Sequence, residues 1–355
     1  YNTVPLILNY TQPIRAYNAL KWRKKTAPLQ YENAQRAYLE TMQDITINVT
    51  NLFFTVLSAQ ENYRQSVADY EDRKHLFEIA KKRLDLGTTT KSEVLQMELS
   101  LLNAKMSVNS TSLTLRTQLF SLFSYLRIVD YGDIELLPPY YMPEIEMNAE
   151  QVLDKAWTGS SHSIEQQLNL LESQRALAEA KANRGLQVEF RGRLGLSQSA
   201  NELPAAYRRL KDYETVGLTM TIPIYDWGMG RGKVRMAKTD VEITKTQIEQ
   251  ANIEFAHDVR TKVMQFNNQA EQCKTSLRAQ DIAAERYDIM KKRFENGSVT
   301  VTELNTAQEE FESAQHQYIS QLQQFWTDYY GIQKLTLYDF IRKENIGVNF
   351  NDLVN

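Results

Sequence analysis

The sequence has little of several residue types that mark particular classes of protein. Cysteine occurs once among 355 residues, which excludes an internal disulfide but says nothing about the compartment. Basic and acidic residues nearly balance, 41 against 44, so we expect no nucleic-acid partner. No apolar run approaches the roughly 18 residues that a membrane helix requires, so no such helix is predicted.

The sequence also lacks the motifs of catalytic and cofactor-binding residues that are typical of enzymes. Four histidines, at positions 75, 162, 257 and 316, have no metal-ligand spacing. The glycines of "YDWGMGRGKV", residues 225–234, follow a strand pattern with the wrong spacing for a phosphate loop, and a strand-to-helix hinge explains them better. We therefore expect no catalytic residue, no metal and no cofactor, and a protein that is not an enzyme.

The sequence does contain one 13-residue segment that occurs in two similar copies. "KKRLDLGTTTKSE" (81–93) and "KKRFENGSVTVTE" (291–303) share six of thirteen residues at an offset of 210. Each begins with the basic residues typical of a helix C-terminus, followed by a glycine, Gly87 or Gly297, that can end a helix in the left-handed conformation. Each ends in Thr-x-x-Glu, a capping box that starts the next helix. Each copy of the segment predicts a tight helix-turn-helix tip.

The same offset aligns much more of the chain, including Pro13 with Pro223 and Ala104 with Ala314. An offset that stays constant over roughly 110 residues indicates an internal duplication. It predicts a first repeat over 1–147, a second over 148–335 and a C-terminal segment over 336–355. The second repeat opens with a predicted helix (about 148–184) and strand (186–198), so we expect a matching pair, and any export signal, upstream of Tyr1.

Two kinds of periodicity fill the repeats. Apolar residues at three-four spacing flank both tips, as in a coiled coil, and the stretches before the tips predict helices on the order of 100 Å long. Alternation of apolar and polar residues marks three strands, among them Val216 to Ile224 with Thr215 to Pro223. Such strands are typical of membrane barrels, although a soluble sheet is the alternative. Three or four strands cannot close a barrel, which needs about eight, so copies of the chain would have to pool them.

Two quoted segments carry a resemblance to a family. "GLTMTIPIYDWGMGRGKVRMAKTDV" (217–241) resembles the strand-to-helix signature of TolC-like outer-membrane efflux proteins, and "KKRFENGSVTVTELNTAQEEFESAQHQY" (291–318) resembles their tip and returning helix. The resemblance implies an α+β membrane protein in the outer membrane of a Gram-negative bacterium, reaching into the periplasm. Long antiparallel coiled-coil helices would form an α-barrel, joined to transmembrane β-strands in a shared, trimeric twelve-strand β-barrel.

The resemblance also implies an efflux function and its partners. The homotrimer would be the exit duct of a tripartite system with a periplasmic adaptor, known as a membrane fusion protein, and an inner-membrane pump. Outer-membrane lipid would surround its strands. Segments 129–147 and 336–355 would form a belt around the helices. The alternative from the residues alone is a soluble antiparallel coiled-coil scaffold, which explains the heptads but not the strands.

Site residues follow from the resemblance position by position. The acidic ring of the closed pore end falls on Glu303, and the acid that latches neighbouring helices falls on Glu93. Phe294 is at the aromatic latch position, and Lys91 is a further candidate latch. A second acid, one turn after Glu303, is Thr306 here. The adaptor-docking positions fall on both tips: Arg83, Leu86, Gly87, Thr88, Arg293, Asn296, Gly297 and Ser298. From the residues alone, Glu93 and Glu303 are helix caps, and a cap can also face a pore.

Overall fold

The fold is known from a computed structural model that describes residues 2–130, 132, 134–137, 142–199, 201–202, 204, 207, 210–295 and 298–350. Helices dominate, with a few antiparallel strands. In chain order the elements are β1 (Asn2–Arg15), α1 (Ala19–Asp85), α2 (Lys91–Tyr125), α3 (Ala149–Gly159), α4 (His162–Arg184), β2 (Gln187–Ser199), β3 (Lys211–Thr221), α5 (Met229–Glu295), α6 (Val301–Thr336), β4 (Tyr338–Asp339) and β5 (Glu344–Asn345).

The chain divides into two compact units, each built from two stretches of sequence. We call residues 1–37 and 161–257 the strand unit, and residues 38–160 and 258–355 the helix unit. Helices α1 and α5 contribute residues to both units, and each is 67 residues long. The long helices predicted before the two tips are thus confirmed. Pro28 lies inside α1 rather than in its first turn.

The strand unit contains an antiparallel sheet in the order β1-β2-β3. Its register places Leu8 of β1 opposite Leu194 of β2, and Phe190 of β2 opposite Leu218 of β3. Most residues of one face are therefore apolar. Many of their side chains are exposed, such as Val4 at 50% and Val216 at 73%, whereas Val188 is buried, at 9%. The predicted division into an apolar and a polar face is confirmed.

Two predicted elements of secondary structure had the wrong bounds. Strand β3 ends at Thr221, short of the predicted Ile224, because Pro223 has no N–H to donate to a ladder. The helix predicted over 148–184 is two helices, interrupted at Ser160 and Ser161. The Ser160 hydroxyl donates to the Ala156 carbonyl at 2.7 Å, the kind of local side-chain bond that competes with helix continuation.

Asp226 organises the junction between β3 and α5. Its carboxylate accepts hydrogen bonds from the backbone N–H groups of Gly228, at 3.0 Å, and Gly230, at 2.6 Å. Gly228 has a φ of 84°, a conformation that favours glycine. These bonds lower the pKa of the Asp226 carboxyl. The glycines of this segment therefore shape a capped strand-to-helix turn.

In the helix unit, α1 packs along α6 through a series of polar contacts as well as apolar ones. The apolar core includes Phe54, Leu57, Cys273, Ile319 and Leu322. The polar contacts between α1 and α6, all from 2.7 to 3.3 Å, join Asp44 with Lys334, Asn51 with Gln323 and Thr327, Glu61 with Gln315, and Asp69 with Gln308. Because each contact needs one particular pair of residues, the series sets the antiparallel register of the two helices.

Cys273 is a packing residue. It is 1% exposed and belongs to the apolar core. Burial raises the pKa of its thiol to about 11, so it stays protonated at neutral pH. Its role is therefore that of a small buried hydrophobe.

Two side-chain amides hold the segment between α2 and α3 against the long helices. Gln60 of α1 donates to the Leu136 carbonyl and accepts from the Leu136 N–H, both at 2.9 Å. Asn267 of α5 makes the same pair of bonds with Met147, at 2.9 and 3.0 Å. Each amide satisfies both backbone groups of one residue, as a neighbouring strand would. Leu136 and Met147 are thus fixed against the long helices, although neither of them lies in a helix or strand.

Gly159, the last residue of α3, makes a close approach to the end of α6. A Cβ atom at this position would overlap the Thr336 carbonyl group. We therefore expect Gly159→Ala to lower the free energy of unfolding by about 1–3 kcal/mol, the usual cost of overpacking. Thermal unfolding followed by circular dichroism in detergent should show a lower Tm.

Gly331 provides the matched control, because it lies inside α6 with nothing within 4 Å of an added Cβ. Gly331→Ala should leave the Tm unchanged or raise it, since alanine is favoured over glycine in a helix by about 1 kcal/mol. Equal Tm values for the two variants would contradict the close approach.

Candidate functional site

The first tip, between α1 and α2, is a tight turn held by backbone hydrogen bonds. The Thr88 N–H donates to the Arg83 carbonyl at 2.8 Å, and the Gly87 N–H donates to the Leu84 carbonyl at 2.9 Å. This pair of bonds defines a Schellman motif, with Gly87 in the left-handed conformation at a φ of 68°. Leu86 is left 77% exposed at the end of the helix. The predicted glycine-ended tip is confirmed.

The second tip shares the part of this geometry that the structure describes. The Ser298 N–H donates to the Arg293 carbonyl at 2.9 Å, the counterpart of the bond between Thr88 and Arg83. Arg293 and Ser298 are exposed. The candidate residues Asn296 and Gly297 lie outside the described part of the chain, so their roles stay predictions.

Both tips continue into a helix through a complete capping box. In the second, the Glu303 carboxylate accepts from the Thr300 N–H at 2.7 Å and from the Thr300 hydroxyl at 2.9 Å, while the Glu303 N–H donates back to that hydroxyl at 3.3 Å. In the first, the Glu93 carboxylate accepts from the Thr90 N–H at 3.2 Å and from the Thr89 hydroxyl. The capping interpretation of both acids is confirmed.

These hydrogen bonds stabilise the ionised acids. For Glu303 they come from the Thr300 backbone and side chain, and the Arg293 guanidinium adds to them, so the pKa of the carboxyl is lowered. For Glu93, the Thr89 hydroxyl and the Thr90 N–H lower the pKa in the same way. Both side chains are exposed, so the two tips carry negative charge in a form that solutes and neighbouring chains can reach.

Next to the second tip, α1 is joined to α5 by an ion pair that sequence reasoning missed. Lys291 Nζ lies 2.8 Å from an oxygen of Asp72, and the Tyr287 hydroxyl donates to the same carboxylate at 3.3 Å. Phe294 lines the small cleft beside this pair together with Leu304. Lys291 belongs to the repeated segment, but nothing in the sequence around Asp72 indicated that it would pair with Lys291.

The structure therefore places the candidate latch residues in different surroundings. Phe294 is half-buried in the cleft beside the Asp72–Lys291 pair, whereas Lys91 is exposed at the first position of α2. The backbone hydrogen bonds of the turns, the capping boxes and the ion pair organise the described part of the tips. Among the described residues, no group of three or more His, Cys, Asp or Glu side chains could hold a metal ion.

The pKa shift of Glu303 leads to a test by hydrogen exchange. Because the folded-state pKa lies below the ordinary value of 4.5, the cap contributes stability above that value and loses it as the pH falls through the lowered pKa. We expect amides in the first turn of α6, corrected for intrinsic rates, to lose protection on acidification. Hydrogen-exchange mass spectrometry at a series of pH values would measure this loss.

The matched variant is Glu303→Gln, whose side chain keeps the acceptor but does not titrate. Its first turn should show little change in protection over the same pH range. If the variant and the wild type lose protection in parallel, the loss does not come from the Glu303 cap.

Comparison with known proteins connects this geometry to one family. The family model described as outer membrane efflux protein matches residues 1–126 and 160–336, which include the three-stranded sheet, both long helix pairs and both tips. No curated protein matches the chain at a significant level in sequence.

Solved structures share the fold at low sequence identity. The Campylobacter jejuni CmeC outer membrane channel superposes with a TM-score of 0.74 at 15% identity, covering 98% of this chain and 72% of that one. The Neisseria gonorrhoeae MtrE outer membrane channel, in its open state, gives 0.70 at 12% identity, with 95% and 80% covered. The Vibrio cholerae outer membrane protein VceC gives 0.67 at 14%, with 93% and 78% covered.

One further finding concerns the helices themselves. None in the described part of the chain is both long enough and apolar enough to cross a membrane. The family match spans most of the sequence, and the likeness to outer-membrane channels extends over nearly all of the fold. The chain belongs to the outer membrane efflux protein family.

Proposed function

We propose that three copies of this chain assemble into the duct that membership of this family implies, and that the duct works with a periplasmic adaptor and an inner-membrane pump. The family is one of efflux channels, not of enzymes, so the protein acts as an outer-membrane efflux duct. It is located in the Gram-negative outer membrane and extends into the periplasm. Membership of this family does not favour the alternative function, a soluble antiparallel coiled-coil scaffold.

The sheet supports assembly from several copies. In its described strands, β1 and β3 are edge strands, each hydrogen-bonded on one side only. Unpaired N–H and C=O groups of an open edge are too costly in hydrocarbon, while the exposed apolar face suits lipid. A barrel of twelve strands, shared by three copies, would remove both edges. It would take a fourth strand from each copy in addition to the three described.

The observation that carries the proposal is an exposed apolar stripe on α2. Its members are 53–67% exposed and recur at intervals of three, four or seven residues: Leu95, Leu99, Leu102, Met106, Leu113 and Phe120. This is the period of a coiled-coil seam, and apolar surface of this extent is uncommon on a free monomer. Another face of α2 already packs on α1, where the Ser66 and Thr111 hydroxyls are 2.7 Å apart.

The occupant that we propose for the stripe is α5 of a neighbouring copy. Within the helix unit, α5 leaves its own apolar side chains exposed, notably Met264 at 67%, Ile282 at 51% and Ile289 at 48%. A contact between two different surfaces, α2 of one copy and α5 of the next, repeats around an axis and can close into a ring. The family resemblance supports a ring of three copies.

An internal duplication accounts for the matched halves. Each bound of α5 lies 210 residues after the corresponding bound of α1, and the capping boxes are separated by the same distance. Equal helix lengths let two helix pairs run side by side and end at a common level. On this basis we keep the division into repeats 1–147 and 148–335 and a C-terminal segment 336–355.

We propose that the tips serve both docking and gating. Adaptor docking would involve Arg83, Leu86, Gly87 and Thr88 of the first tip, where Leu86 offers an exposed apolar side chain, and Arg293, Asn296, Gly297 and Ser298 of the second. The gate would comprise Glu93 and Glu303, with Phe294 and the Asp72–Lys291 pair holding the neighbouring helices and Lys91 free to engage another copy.

The trimer can be tested by placing a charge in the stripe. Leu102→Glu should prevent assembly, because a carboxylate buried in a coiled-coil seam would lose its hydration without gaining a partner. The variant should run as a single chain in detergent by light scattering or native mass spectrometry, where the wild type contains three. The fold of the chain itself should survive, since Leu102 is 54% exposed in the isolated protomer.

Asn103→Glu is the matched control, because Asn103 is exposed beside Leu102 and lies off the stripe. It introduces the same charge and should still form trimers. A Leu102→Glu variant that remains trimeric would show that α2 is not the contact surface.

The gate can be tested by recording ion selectivity in planar bilayers. Three copies of Glu303 near the axis should favour cations, and this preference should fade as acidification protonates the carboxylates. Glu303→Gln keeps the helix cap, so it should form channels with weaker cation preference and less pH dependence. Channels of the variant that match the wild type in both respects would leave Glu303 with the capping role alone.

A further inference from the structure

The polar face of the sheet carries charge in the middle of a strand. Because side chains alternate along β2, Glu189, Arg191 and Arg193 lie on the face opposite the apolar one. Arg193 is at the midpoint of Gln187–Ser199, and both arginines are exposed. A strand that spans a membrane would therefore present two guanidinium groups near mid-depth, on the side away from lipid.

The neighbours of the two arginines differ in charge. Arg191 is paired with Glu189, at 3.0 Å between nitrogen and oxygen. Arg193 lies opposite Asn9 of β1 and Thr215 of β3, which are uncharged, and it interacts with the hydroxyl of Tyr213. Within the described strands, Glu189 is the acidic residue of this face. The positive charge of Arg193 is therefore not balanced by a carboxylate beside it in the sheet.

A cation without a carboxylate partner is suited to binding a mobile anion. Arginine stays charged at every relevant pH, and its planar fork of donors matches carboxylate, sulfonate and phosphate groups. Two residues along a strand separate Arg191 from Arg193 by about 7 Å, which is within one Debye length at physiological salt. One anionic group in the lumen would therefore feel both side chains.

We propose that Arg193, supported by Arg191, binds anionic groups inside the strand barrel and favours the passage of anionic cargo. The proposal rests on the proposed function, since the polar face lines a lumen only if several copies close the barrel. Three copies would place three Arg193 side chains at one level of the lumen. Rings of arginine or lysine are the usual device of anion-selective pores.

This cationic ring would lie in the strand unit, whereas the acids Glu93 and Glu303 belong to the tips in the helix unit. The selectivity of the whole duct then combines two contributions of opposite sign. A single measurement on the wild type cannot separate them. Variants that change one contribution at a time can do so.

The test is the reversal potential of the full-length trimer in a planar bilayer under a KCl gradient. Arg193→Gln should lower the ratio of chloride to potassium permeability about twofold or more. Glu189→Gln frees Arg191 from its partner and should change the ratio in the opposite direction. Arg193→Lys keeps the charge and should resemble the wild type in this assay.

A second readout measures binding rather than permeation. Tripolyphosphate added on the side of the strand barrel should block the wild-type current. For Arg193→Gln, the concentration needed for half-block should rise about fivefold, because a multivalent anion loses one contact in each copy. Arg235→Gln removes one exposed charge from α5, outside the strands, and should leave the block unchanged.

The outcomes separate the two levels of the proposal. If the wild type forms no channels in the bilayer, the proposed duct itself fails. If it forms channels whose reversal potential and block do not respond to Arg193→Gln or Glu189→Gln, the duct stands and the anion site is overturned. A shift in opposite directions for the two variants supports the site.

Discussion

The register of α1 against α6 is the constraint on which the helix unit depends. Apolar heptads alone would let two long helices slide by a turn or more at little cost, because each turn offers a similar surface. The paired side chains from Asp44–Lys334 to Asp69–Gln308 break that equivalence. A slip of one turn would break several of these contacts between half-buried polar groups, each worth about 0.5–1.5 kcal/mol. The polar contacts thus select one register from many.

The register determines where the other parts of the helix unit lie. It brings Gln60 of α1 to the position from which it holds Leu136. Elsewhere in the unit, Phe266 of α5 packs beside Phe325 of α6, with ring centroids 5.1 Å apart, within a core of large aromatic side chains. Because α6 begins at the second tip, the same register fixes the level of the Glu303 cap relative to α1.

The tips show how one carboxylate can have two uses. Glu303 and Glu93 each accept hydrogen bonds that start a helix, and those bonds keep the acids ionised. An ionised, exposed carboxylate is also what a cation-attracting pore entrance requires. Structural capping and a pore role therefore need the same protonation state, and neither has to be given up for the other. The exposed apolar faces of α2 and of the sheet, by contrast, acquire a purpose only in an assembly or a membrane.

Much of this protein was determined by local sequence. The two tips, their capping boxes and the strand faces follow from patterns within about ten residues, where backbone and side-chain preferences act directly. The family and its duct function followed from the junction and tip segments, and the family model confirmed them.

Local patterns did not determine the Asp72–Lys291 pair or the amides that hold Leu136 and Met147. Lysine, asparagine and glutamine are common on helix surfaces, and nothing in their immediate sequence indicates which will meet a partner. Those partners are 76 to 219 residues away in the chain. Only the packing of whole helices brings them within reach, so tertiary structure decided these contacts.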